Sequence, residues 1–95
     1  MRTSAKFKAI AKEQIKFLKF PKEEVLQKKN AIVSRFKDIQ RALYLGNIEH
    51  QKVKILFADA SGYKKVETTI WGVTDKSVIL KESTIIPLSR IISVV

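Results

Sequence analysis

The chain has 95 residues, with nineteen Lys and Arg against nine Asp and Glu, a formal charge of +10, and 45% apolar side chains. That composition belongs to a folding chain rather than a disordered one, and the length suits a single domain with one shared core. No cysteine is present and His50 is the only histidine, which excludes a disulfide scaffold, a thiolate metal site and a cysteine nucleophile, and fits a reducing, cytoplasmic setting.

Residues 6–20 place Phe7, Ile10, Ala11, Gln14, Phe17 and Leu18 at helical spacing with lysines between them, which predicts an amphipathic helix with a basic face. Pro21 disfavours helical geometry at Phe20 and suits the first turn of a second helix, where Glu23 and Glu24 would meet a favourable dipole. This second helix is expected over residues 21–45, stopped by Gly46 and Asn47. At 100° per residue it carries two apolar seams, one of Val25, Ile32, Phe36, Ile39 and Leu43 and another of Leu26, Val33 and Tyr44. Two seams imply two packing partners, with the β-part on one side and the first helix or a second copy on the other.

After Gly46 the periodicity switches from helical to alternating. Val53, Ile55 and Phe57 alternate with lysines as in a half-buried strand, and Asp59, Ala60, Ser61 and Gly62 have the residue types of a turn. Residues 65–73 read as a second strand in which Gly72 permits a bulge or bend. Residues 74–77 form a turn, residues 78–81 a third strand, and residues 84–87 and 91–94 two more. Pro87 belongs at an edge or corner because it cannot donate to a ladder. The organisation is one domain, 1–95, helical over 1–46 and β over 47–95. No apolar run approaches the roughly 20 residues of a membrane-spanning helix, so no membrane span is expected.

The stretch VETTIWGVTDKSVILKESTIIPLSRIISVV resembles the strand pattern of Sm-like and SH3-like small barrels: a bent strand with Gly, a turn with Asp, an apolar strand, a hairpin, and an IPxxRIxxV ending. Together with ALYLGN and KVKILFADASGYKKVETTIW it is also similar to a group of short uncharacterised proteins of Bacteroidetes, over most of the chain from Ala42 onward. The second resemblance implies an architecture and assigns no activity. The first implies a barrel and points toward RNA, because bacterial Sm-like proteins are ring-forming RNA chaperones with a Tyr-Lys-His run before the last strand. Leu88, Ser89 and Arg90 stand at that place here, so of that run only a cation is kept. The expected fold is therefore α+β: two N-terminal helices packed on a five-stranded, strongly bent antiparallel sheet or a small SH3/Sm-like barrel.

Catalytic residues, a cofactor, a metal site and a small-molecule substrate are not expected. The acids of the β-part are Asp59, Glu67, Asp75 and Glu82. The two aspartates fall in turns, where such side chains bond nearby backbone, and the three glycines are too isolated for a phosphate loop. The charge excess is concentrated in residues 1–50, where twelve bases face five acids, net +7, against seven and four, net +3, in residues 51–95. Such a surface attracts polyanions, and RNA or DNA is the candidate partner. The candidate contacts are Lys6, Lys8, Lys12, Lys16, Lys19, Lys52, Lys54, Lys64, Lys65, Trp71 and Arg90, the lysines for phosphates and Trp71 either for a base or covered by the helix or a partner. His50 is expected to be an ordinary loop residue. An anionic membrane surface met by Phe7, Ile10, Phe17 and Leu18 ranks behind nucleic acid. The competing function is a structural or regulatory interaction module that forms a homo-oligomer through its long helix.

Overall fold

A computed structural model describes residues 6–95. Its class is α+β: one long helix and seven strands in two sheets among the described residues. The strands are β1 (Lys8–Ala9), β2 (Val53–Asp59), β3 (Gly62–Thr68), β4 (Ile70–Val73), β5 (Ser77–Leu80), β6 (Ile85–Pro87) and β7 (Ile91–Val94). The first sheet has the order β1-β3-β2-β7 and the second β4-β5-β6. Among the described residues, hydrogen bonds do not join the two into a closed barrel. Every pairing is antiparallel except that of β1 with β3. No described helix is long and apolar enough to cross a membrane.

The expected second strand is divided at Thr69, so the chain leaves the first sheet as β3 and enters the second as β4. The two sheets face each other across one core in which Ile55, Phe57, Ile70, Val78, Ile86 and Ile91 are fully buried. Burial of their alternate positions explains why the period-2 pattern of the sequence survives folding. Between β2 and β3 the Asp59 carboxylate accepts from the Ser61 and Gly62 N–H groups, each at 3.0 Å, and from the Ser61 hydroxyl. Gly62 sits at φ +143°, a conformation suited to glycine. In the turn after β4 the corresponding role falls to Thr74, whose Oγ1 accepts from the Lys76 and Ser77 N–H groups, rather than to Asp75.

The N-terminal half departs from expectation. Residues 6–20 form β1 and a six-residue 3-10 turn (Lys12–Phe17) rather than an amphipathic α-helix. The cause is competition for the backbone groups. The Ile10 N–H is taken by the Lys65 carbonyl at 3.0 Å, and the Lys19 carbonyl by the Ala60 N–H at 2.8 Å, so the segment becomes a strap tied to the β-part. Most of its apolar residues still face the core: Ile15 is buried and Phe20 packs its ring 5.9 Å from that of Phe57, but Phe17, expected on the apolar face, is 77% exposed.

The second helix also begins later and ends later than the sequence suggests, as α1 (Lys29–Glu49). Residues 21–28 are not helical because the β-part again supplies partners. The Val25 N–H donates to the Ser89 carbonyl at 2.9 Å, and Arg90 donates to the Glu23 carbonyl at 2.7 Å. The helix runs through Gly46 and stops at His50, which holds the left-handed φ of 54°. Gly46 serves another purpose: it lies where α1 approaches β4, and a Cβ there would collide with the Ile70 carbonyl oxygen. Of the two seams, Ile39 is buried and Leu43 packs on the core, while Val33, Phe36 and Tyr44 remain exposed.

Two carboxylates give the fold an acid sensitivity. Burial disfavours ionisation of Asp59, but hydrogen bonds from Lys64 and Ser61 outweigh it and hold the carboxyl below its ordinary 3.8. The Arg35 guanidinium, donating to Glu24, holds that carboxyl below its ordinary 4.5. A carboxyl with a lowered native pKa stabilises the fold fully above the unfolded value and loses that contribution as pH falls through the native one. Urea midpoints should therefore be flat near neutrality and decline below about pH 4, and Asp59→Asn should flatten part of that decline. A midpoint unchanged on acidification would contradict the assignment.

Candidate nucleic-acid interface

Trp71 occupies a special position in β4. Ile70 pairs with Leu80 and Gly72 with Ile79, so Trp71 is the extra residue of a bulge. Bulges re-aim side chains, and here the indole is turned outward and stays 56% exposed. Of the alternatives expected for Trp71, cover by the long helix is not the one realised within the chain: α1 packs against β4 and β7, yet the ring is more than half exposed.

The indole borders a groove of about 330 Å³ built from several parts of the chain. Lys12 comes from the 3-10 turn, His50 from the helix stop, Lys52 from the approach to β2, and Lys81 from the connection after β5. Glu67, Thr68 and Thr69 line it between β3 and β4. Three lysines thus face one glutamate around an exposed aromatic surface. Lys12 is the most buried of these cations, lying 3.6 Å from Glu13 and 3.9 Å from Glu82, whereas Lys52 and Lys81 are exposed.

The other candidate residues divide into three groups. Lys54 pairs across the strands with Glu67 and Lys65 with Leu56, so these two lysines extend the cationic surface from the groove rim across the solvent side of the first sheet. Lys6, Lys8, Lys16 and Lys19 are exposed but do not share a helix face, because that helix is absent. Lys64 and Arg90 are committed to the fold. The Lys64 ammonium bonds the Asp59 carboxylate at 3.2 Å in a largely buried pair. Arg90, 9% exposed, donates Nε–H to the Ala58 carbonyl at 2.9 Å as well as reaching Glu23.

His50 and Lys81 were missed by sequence reasoning. The register of the β4-β5 hairpin could have found Lys81, since it follows Leu80, the partner of Ile70. His50 offered no such signal, because its place depends on α1 running four residues further than the glycine suggested.

Chemically, an exposed indole can stack on an unpaired base, and lysines around it can take the flanking phosphates. Among the described residues no group of three His, Cys, Asp or Glu side chains could hold a metal ion. Comparison of the sequence with family models, of the chain with curated proteins, and of the fold with solved structures gives no match.

Proposed function

We propose that the protein is a non-enzymatic binding module for single-stranded nucleic acid, RNA first, that seats a base on Trp71 and phosphates on the surrounding lysines. The observation that carries this reading is the bulge at Trp71, which holds a large aromatic ring in solvent on the groove that exposed Lys52 and Lys81 also line. Large apolar side chains are ordinarily withdrawn from water, and an aromatic platform ringed by cations is the arrangement that single-strand binders use. The same reading takes the two sheets as a variant of the small SH3/Sm-like barrel. The bent passage from β3 to β4 and the 3-10 turn at Leu88–Arg90 before the last strand support it. Unlike the Sm-like signature, the site would lie at the bulged strand rather than at the turn before β7, where Arg90 is buried.

The lone tryptophan provides its own probe. Titration with single-stranded RNA should quench its fluorescence, with an affinity that falls steeply as salt rises because each neutralised phosphate releases counterions. Trp71→Ala, read by the anisotropy of labelled RNA because the variant lacks the tryptophan, should cost about 1–3 kcal/mol of affinity for single strands and little for duplex, with the melting temperature hardly changed because the ring is exposed. Lys52→Gln with Lys81→Gln should lower the slope of log affinity against log salt by about 0.7 for each phosphate that is no longer neutralised. Absence of binding to RNA and DNA at about 50 mM salt, where the electrostatic contribution is strong, would remove this function and favour a protein-interaction module.

A further inference from the structure

The helix carries a second surface that the groove does not use. Val33, Phe36, Tyr44 and Ile48 are 45 to 62% exposed, and at 100° per residue they fall within an arc of about 120° on the side of α1 away from buried Arg35, Ile39, Ala42 and Gly46. Such a stripe on one helix is the geometry by which helices pair. Phe36 also borders an apolar recess of about 210 Å³ between α1 and the turn after β4, a place for an anchoring side chain of the kind that dominates interface energies.

Its charges select the occupant. Lys29 and Lys37 project within the same arc and Arg41 at its edge, all exposed. Asp38 lies on the far side of Arg41, 3.8 Å from it, and among the described residues that line the recess Asp75 is the one carboxylate. A second copy is disfavoured, because Lys37 and Arg41 flank Gln40 at the midpoint of the stripe, and a two-fold pairing there would gather four cations around the axis. We infer that this face docks an acidic amphipathic helix of a protein partner, whose apolar residues cover Val33, Phe36, Tyr44 and Ile48 and whose carboxylates meet Lys29, Lys37 and Arg41.

The test uses two synthetic amphipathic helices of one pattern, one of leucine and glutamate and one of leucine and lysine, titrated into the full chain with amide shifts recorded by NMR. The glutamate peptide should bind and shift the amides of Val33, Phe36, Tyr44 and Ile48, and the lysine peptide should not. Phe36→Ser with Tyr44→Ser should weaken binding at least about tenfold with the melting temperature preserved, since both rings are exposed. Lys37→Glu with Arg41→Glu should reverse the preference between the peptides, and Trp71→Ala should leave it unchanged. Failure of the glutamate peptide to bind, equal binding of both peptides, or shifts confined to other elements would overturn the inference. So would sedimentation showing that the chain dimerises through this stripe.

Discussion

Arg35→Ala should lower the unfolding free energy by about 2–3 kcal/mol, because it breaks a part-buried ion pair and leaves a buried carbonyl without its charged donor. Arg35 is 7% exposed. Its guanidinium grips both oxygens of Glu24, at 2.6 and 2.7 Å, and donates to the Ile91 carbonyl at 3.0 Å. One side chain of α1 thereby ties the non-helical segment before the helix to the last strand, and its loss would leave a half-covered carboxylate and a buried carbonyl short of a donor. Glu24→Ala should also destabilise strongly, through the unpaired guanidinium. The double change Arg35→Met with Glu24→Leu should cost clearly less than the sum of the two alanine variants, because neither charge is then left without its partner. Urea denaturation of the four proteins would measure this, and an Arg35→Ala variant within about 1 kcal/mol of the parent would show that the pair is ornamental.

Gly46→Ala should destabilise by about 3 kcal/mol, at the upper end of the usual overpacking range. The expectation opposes helix propensity, by which alanine at an interior helical position gains about 1 kcal/mol over glycine. Steric exclusion wins because the obstacle is backbone: the added Cβ would meet the Ile70 carbonyl oxygen and lie 3.0 Å from Thr69 Cγ2. Ala42, one turn earlier, is 1% exposed, so two small residues let α1 come close to β4, and relief would require moving the helix. Gln40→Ala, exposed on the same helix, should change stability by no more than about 0.5 kcal/mol and serves as the control. Thermal melts decide between the two effects, and a Gly46→Ala protein more stable than the parent would refute the close approach.

Gly46 also shows why the sequence was easier to read in one half than in the other. A glycine near the end of a helical pattern signals a stop or a close contact with equal force, and only the position of β4 separates the two. Strands were legible because alternation at Val53, Ile55 and Phe57 and turn chemistry at Asp59 and Gly62 are local properties. Residues 6–28 were not: the spacing of Phe7, Ile10, Ala11, Gln14, Phe17 and Leu18 reads as a helix face, yet the strap, whose backbone groups are satisfied by the β-part, buries Ile15 and leaves Phe17 exposed. At the candidate site Trp71, Lys12 and Lys52 were visible as residue types, and the Gly72 bend hinted at the bulge. That Lys64 and Arg90 would be withdrawn into the fold could not be seen, because a cation held by Asp59 and one held by two carbonyls look in sequence like any other basic residue.

The strap sets an order on how this chain can acquire structure during synthesis. Residues 6–28 leave the ribosome before their partners, which are Lys65, Ala60, Ser89 and Arg90, the last of them 67 positions beyond Glu23. A nascent chain therefore carries Phe7, Ile10, Ile15, Leu18 and Phe20 without a surface to cover them until the β-part has been made. Translation at about 5–20 residues per second stretches that interval to seconds, during which a segment rich in lysine has an advantage over a neutral one: like charges keep the waiting chains apart.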